Sequence, residues 1–367
     1  MILLIFLLLS LSSLSAAERR AKNVILFLGD AGGISTLHAA SVYGHNHPQK
    51  LFIQSMPYVA LVDTTPAESW VSDSAAGMTA IVTGQKTKNG VISQSADAIR
   101  GKKDGETLKT ILEHAEERGL STGVISNVSI ADATPAACYA HVNDRRMTGE
   151  IFSQVLSPRF GDGVDIVFGA GRKPILEATA KLGIQIEDAL RGRGFAVAPS
   201  VEQLPPASRR AVVLYDSGSF DLPAAVDWAV SSLSQNRKGF FLMVECDMHT
   251  NELKRGLDRA LIMDRLVRDA AARAGRDTLV LYTADHSFDI RIVRGAQGDP
   301  LLPADGDGAK PQSSSRPPLR VDNSHTGEQV LLAATGPGAG RVRGYLLNTD
   351  TFHIMMQAYG WEKPKSK

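Results

Sequence analysis

Six short apolar runs with little polar alternation punctuate the chain: Asn23–Leu28, Gly123–Ser126, Asp165–Phe168, Ala211–Leu214, Gly239–Val244 and Thr278–Tyr282. Between them, Thr107–Arg118, Ala224–Ser234 and Leu253–Ala274 carry apolar residues at helical spacing. A strand with one wet face alternates apolar and polar residues, whereas a continuous apolar run is covered on both faces. Strands of the second kind, separated by amphipathic helices, predict an α/β domain with a central mostly parallel sheet and helices on both faces. Ligands in such folds gather at the carboxyl ends of the strands. Polar residues concentrate at those places here: Asp30 follows the first run, Glu245 and Asp247 the fifth, and Asp285 and His286 the sixth.

Other segments break the pattern. Gly295–Pro318 is poor in apolar residues and rich in Pro, Gly and Ser, which predicts a surface loop rather than a second domain. Arg172–Pro205 reads as a helical excursion with a short hairpin. Met1–Leu9 is almost wholly apolar and is followed by small residues at Ser15, Ala16 and Ala17. That reads as a secretory signal (residues 1–17) cut after Ala17, with an uncleaved anchor as the alternative, because the segment begins without Lys or Arg. An exported, periplasmic or secreted, protein of residues 18–367 is the expectation. No later stretch approaches the ~18 consecutive apolar residues of a membrane span.

With 40 Lys and Arg against 39 Asp and Glu, the formal charge is +1, so no nucleic-acid-binding surface is expected. Hydrophobic residues make up 43% of the 367, enough for a well-cored globular chain and too many for a disordered one. Cys138 and Cys246 lie far apart in apolar surroundings and read as small core residues.

Oxygen and imidazole donors at strand ends point to metal. Alternation along Glu245-Cys246-Asp247-Met248-His249 would place Glu245, Asp247 and His249 on one face, and Asp285-His286 and His325 add donors of the same kind. Asp, Glu and His without thiolate suit zinc and magnesium together. His38, His45, His47, His114 and His353 lack such neighbours and read as ordinary core or surface residues. Separately, Ser72–Ala80 predicts a helix that Gly84 can end, with Ser74 at its N-terminus. There Ser74 could serve an anion site, or Asp73 and Ser74 could simply cap the helix.

Six stretches, in order, resemble the alkaline phosphatase family: KNVILFLGDAGG (Lys22–Gly33), SDSAAGMTAIVTGQKTKNGVI (Ser72–Ile92), DATPAACYAHVNDR (Asp132–Arg145), KGFFLMVE (Lys238–Glu245), TADHS (Thr283–Ser287) and HTGE (His325–Glu328). The resemblance covers nearly all of residues 23–360. It implies a metal-dependent phosphomonoesterase acting on small-molecule phosphate esters with two zinc ions and one magnesium. Asp30 would bridge the second zinc and the magnesium, and Ser74, Asp285 and His286 would complete that zinc's shell. Thr134 and Glu245 would join Asp30 on the magnesium, while Asp247, His249 and His325 would hold the first zinc. Ser74 would be the nucleophile, giving a phosphoserine, with Arg145 on the phosphate oxygens and Asp73 orienting Arg145.

The chain also departs from the family. Glu245, Asp247 and His249 stand two apart, where relatives place a longer glycine-containing turn, so Asp258 and Asp264 on the following helix are fallback ligands. Met248 stands where relatives place a hydrogen-bonding residue. Asp132, two residues before Thr134, favours magnesium in the third site. The stretch from Asp289 to Asp322 is shorter than the cap of many relatives, which implies a reduced cap, an open cleft and broad monoester specificity. It leaves monomer and homodimer both open. Alternatives are a phosphodiesterase of the same superfamily, a non-catalytic phosphate- or metal-binding relative, and a serine hydrolase using Ser74.

Overall fold

The computed structural model describes residues 19–206, 208–302 and 318–362. The expected leader lies outside the described residues, as does most of the Gly295–Pro318 segment. The strands are β1 (Asn23–Asp30), β2 (Tyr58–Asp63), β3 (Ser121–Ser129), β4 (Ile166–Ala170), β5 (Ala196–Ala198), β6 (Ala211–Tyr215), β7 (Phe240–Asp247), β8 (Thr278–Thr283), β9 (Ser287–Ile292), β10 (Leu319–Thr326), β11 (Val330–Thr335) and β12 (Gly344–Leu347). The helices are α1 (Ile34–His45), α2 (Ser74–Thr83), α3 (Ile111–Glu117), α4 (Ala133–Ala136), α5 (Thr148–Ser153), α6 (Arg172–Lys181), α7 (Ile186–Gly192), α8 (Leu222–Leu233), α9 (Leu253–Arg273) and α10 (Asn348–Tyr359).

Ten strands form one sheet in the order β12-β2-β11-β8-β1-β7-β3-β4-β6-β5. All pairings are parallel except the two that β11 makes, with β2 and β8. The expected α/β fold with a mostly parallel central sheet is the fold adopted. All six apolar runs are strands, and β1 shows why they lack polar alternation. Val24, Leu26 and Leu28 enter one apolar layer with Met78 and Ile81 of α2 and Phe352 of α10. Ile25 and Phe27 enter the other with Leu37 of α1 and Leu257 and Met263 of α9. Both faces are therefore core, and cutting Leu26 or Phe27 to Ala would cost about 2–5 kcal/mol. Cys138 and Cys246 are buried free thiols, as expected. Among the described residues, no helix is long and apolar enough to cross a membrane.

Two local expectations need correction. Thr107–Arg118 becomes helical only from Ile111, because Thr110 caps it: its hydroxyl accepts the Glu113 amide and the Glu113 carboxylate accepts the Thr110 amide. Arg172–Pro205 holds α6, α7 and β5 but no hairpin. β5 pairs in parallel with β6 (Ala196 opposite Ala211), because the connection through residues 199–210 returns the chain before β6 begins.

Where a larger cap was expected to be missing, β9 and β10 form a separate two-stranded antiparallel ribbon, with Ser287 opposite Thr326 and Ile292 opposite Leu319. Its base begins one residue after His286, and its returning strand carries His325.

Candidate active site

The carboxyl ends of β1, β7 and β8, the N-terminus of α2 and the ribbon converge on one place. Ser74 is the first residue of α2. Asp73 is its N-cap, with Oδ1 accepting the Ala76 amide at 3.0 Å, and Gly84, at φ 73°, ends the helix. The other oxygen of Asp73 accepts a hydrogen bond from Arg145 Nη1 at 3.1 Å, and Asp132 Oδ1 accepts one from Nη2 at 2.9 Å. Asp132 in turn caps α4, accepting the Ala133 amide at 2.7 Å. Burial opposes the Arg145 charge, but Asp132 and Asp73 outweigh it and keep the guanidinium protonated. Asp73 therefore both caps the helix that presents Ser74 and anchors the cation beside it.

Ser74 Oγ lies 3.4 Å from Asp30 Oδ2, to which it donates, and 3.3 Å from His286 Nε2. The same His286 nitrogen is 3.3 Å from Asp30 Oδ1 and 3.6 Å from Asp285 Oδ2. Burial opposes ionisation of Asp30, yet the adjacent His286, with the charges of His249 and Arg145, holds its carboxyl well below the usual range. Burial and the neighbouring Asp30 push Asp285 up to about 6. Burial opposes the charge on His286, but Asp285 and Asp30 prevail and raise it to about 9.

Behind these residues, Glu245 is fully buried on β7 and accepts a hydrogen bond from Ser126. Burial, then the charges of Asp30, Asp132 and Asp285, drive its carboxyl far above the ordinary value. Thr134 is buried on α4, which packs against β7.

On the outer side, His249 Nε2 approaches His325 Nε2 at 3.3 Å. β7 stops at Asp247, and His249, two residues beyond it, still turns its ring to Asp247 while Met248 faces Tyr282. Asp247 gives one oxygen to His249 Nδ1 at 2.7 Å and the other to Arg259 Nη1 at 2.6 Å. Burial lowers His325 to about 4, reinforced by the charge of His286. Burial also opposes charge on His249, but the hydrogen bond it donates to Asp247 and the charge of Asp30 raise it.

The fallback ligands are engaged elsewhere: Asp258 with Tyr43 and Lys254, and Asp264 with the Ile53 amide. His114 and His353 pack against Phe352, away from the cluster. Met248 is buried with its sulfur toward the Tyr282 hydroxyl. Arg259 and Asn127 escaped sequence reading. Asn127 Oδ1 accepts the Asp247 amide at 2.8 Å, but neither residue lies near Asp247 in a way that local pattern could reveal.

Two groups of donors close enough to share an ion emerge among the described residues: Asp30, Asp285 and His286, and His249, His286 and His325. Their chemistry fits metal. Asp30 Oδ1, Asp285 Oδ2 and Glu245 Oε1 are buried without a hydrogen-bond partner, and such orphans are rare unless something else satisfies them. A Ser-His-Asp triad is not built. A triad needs its Asp on Nδ1 of the His, whereas His286 Nδ1 faces the Ser287 carbonyl at 3.1 Å and both carboxylates stand at Nε2.

A serine at a helix N-terminus, beside an anchored arginine and carboxylate and imidazole donors at the carboxyl ends of a parallel sheet, defines a metal-dependent hydrolase of anionic esters. The chain belongs to the alkaline phosphatase family, whose model matches residues 21–194 and 219–300. It is 30% identical to the alkaline phosphatase of Escherichia coli K12, over 94% of this chain and 88% of that protein. It is 29% identical to the streptomycin-6-phosphate phosphatase of Streptomyces griseus, over 93% of this chain and 91% of that one. Among solved structures, Thermus thermophilus alkaline phosphatase superposes with a TM-score of 0.77 at 21% identity, over 94% of this chain and 92% of that one. The enzyme of the Antarctic bacterium TAB5 gives 0.76 at 23%, over 94% and 99%. The chain is thus a phosphatase of the alkaline phosphatase superfamily, a metal-dependent family acting on small phosphate esters.

Proposed function

We propose that this protein hydrolyses phosphate monoesters through a phosphoserine on Ser74. The observation that carries the reading is the position of Ser74 Oγ, within 3.4 Å of both Asp30 Oδ2 and His286 Nε2 at the N-terminus of α2. The hydroxyl points its hydrogen at Asp30 Oδ2, which turns an oxygen lone pair outward to the incoming ester. Each terminal nitrogen of Arg145 keeps an N–H beyond those used by Asp73 and Asp132, and these spare donors grip two phosphate oxygens. The free amides of the first turn of α2 add positive potential where the phosphoryl group arrives. Ser74 Oγ bonds to phosphorus as the ester P–O bond breaks, and the proton lost from the hydroxyl leaves on the departing alcohol. Water then cleaves the phosphoserine, releasing phosphate and restoring the hydroxyl.

Two zinc ions and one magnesium, when bound, would supply the Lewis acidity that makes a serine hydroxyl nucleophilic at moderate pH and stabilises the departing oxygen. Asp30, Asp285, His286 and Ser74 would hold one zinc, and His249 and His325, with Asp247 adjoining, the other. Asp30, Glu245 and Thr134 would hold the magnesium, with Asp132 behind it. We also infer that residues 1–17 direct export and that the chain from residue 18 onward forms one catalytic domain.

The test is hydrolysis of p-nitrophenyl phosphate and bis-p-nitrophenyl phosphate by one purified sample, before and after EDTA. Monoester turnover well above diester turnover, lost with chelator and restored by zinc and magnesium, is the expected result. Faster diester turnover would favour the phosphodiesterase. Zinc and phosphate binding without turnover would favour the non-catalytic relative.

A further inference from the structure

We propose that Asp247 does not ligate metal but orients the ligand His249, and that Arg259 holds it in that role. The proposal rests on the metal-dependent phosphatase reading and gives Asp247 a positioning role where the family resemblance implies a ligand. Both oxygens of Asp247 are already engaged. Oδ1 accepts the His249 backbone amide at 3.0 Å and the His249 Nδ1–H at 2.7 Å. Oδ2 accepts Arg259 Nη1 at 2.6 Å, and the Asp247 amide is tied to Asn127. Asp247 therefore has no orphaned oxygen, unlike Asp30, Glu245 and Asp285.

The geometry of His249 points the same way. The two nitrogens of an imidazole face away from each other, so an oxygen on Nδ1 and a metal on Nε2 sit on opposite sides of the ring. Nε2 is the nitrogen that approaches His325 Nε2, at 3.3 Å. Two nitrogens about 2.0–2.1 Å from a tetrahedral zinc lie about 3.3–3.4 Å apart, so this pair is spaced as co-ligands. His325 repeats the arrangement, with Nδ1 at 3.1 Å from the Ser72 carbonyl, and so does His286 on the Ser287 carbonyl. His325 and His286 have Nδ1 on a carbonyl, while His249 has Nδ1 on Asp247 Oδ1, 3.7 Å from Asp30 Oδ1, and turns Nε2 to His325. A metal-bound His regularly has its far nitrogen fixed by a carboxylate or carbonyl in this way.

The short spacing explains the change of role. With His249 only two residues on, the Asp247 side chain closes a turn onto the His249 amide, as an Asp at a turn start commonly does. Arg259 then holds the other oxygen of the carboxylate. The outer metal would have two protein ligands and more positions open to water or phosphate, so it should leave before the inner one during chelation.

The experiment is long-range 1H–15N correlation of the full chain, labelled at histidine nitrogens and loaded with zinc. The expected spectrum shows His249 with a protonated Nδ1 and a metal-bound Nε2. Zinc per chain should be unchanged in Asp247→Asn, which keeps an acceptor for Nδ1–H, while affinity for the outer zinc falls about 10–100-fold in Arg259→Met. A metal-bound Nδ1 on His249, or loss of one zinc per chain in Asp247→Asn, would overturn the proposal and leave the phosphatase reading intact. A wild-type chain that takes up no zinc would overturn both.

Discussion

Gly77 packs so closely on the carbonyl oxygen of Asp285 that a Cβ there would collide with it, so α2 can seat against the segment that follows β8 only where residue 77 has no side chain. Ser74 lies one helical turn earlier and owes its distance from His286 to that seating. Gly77→Ala should push the helix away, costing about 1–3 kcal/mol of stability by overpacking. Turnover should also fall, by about a hundredfold in kcat, because displacement of the nucleophile by an ångström is enough. Thermal unfolding and p-nitrophenyl phosphate turnover check the two effects. Full turnover in the variant would show that the seating of α2 does not set the position of Ser74.

Arg145 is held by two carboxylates on two capped helices, so its fork is fixed before any phosphate arrives. Arg145→Lys keeps the charge and loses the planar pair of donors. It should lower kcat/KM about 10–100-fold and weaken inhibition by inorganic phosphate in proportion. Steady-state kinetics with added phosphate read both. Unchanged phosphate inhibition would place phosphate elsewhere.

At the opposite ends of the strands, Glu116 is buried and accepts the Thr122 hydroxyl at 2.5 Å. Burial, with Asp165 and Asp162 adding to it, raises its carboxyl to about 9 from an ordinary 4.5. Below pH 4.5 both folded and unfolded chains hold the proton. Between about 4.5 and 9 the unfolded chain releases it and the folded chain keeps it, so folding stability falls as pH rises through that window. Glu116→Gln removes the penalty. It should raise stability by roughly 1 kcal/mol or more at pH 9 and leave it little changed at pH 4.5, as followed by denaturant unfolding at both values. Equal effects at the two pH values would mean that Glu116 is ionised in the folded chain.

How much of this was legible in the sequence differs by element. The six strands at the centre were plain because both of their faces are core, which leaves an unbroken apolar run. β2 and β12 lie on the flank of the sheet with exposed Tyr58, Val59, Tyr345 and Leu347, and only long-range pairing makes them strands. β5 was misread as half of a hairpin because local pattern does not say which way a short edge strand pairs. Asp30, Ser74, Asp285 and His286 could be named because each follows a recognisable strand or opens a helix, and the structure brings them together. Arg259 could not. It lies twelve residues beyond Asp247 on α9, and what brings it back is the packing of that helix on β7.

The measurement that bears most directly on the central claim is acid quenching of the zinc- and magnesium-loaded protein during turnover of a phosphate monoester, followed by peptide mass spectrometry. The expected result is phosphate on Ser74 in the wild type. Ser74→Ala should carry none, lose at least about 10³-fold in turnover and keep its folded spectrum. A wild type that hydrolyses the ester and carries phosphate on another residue, or a Ser74→Ala variant with undiminished turnover, would contradict the account.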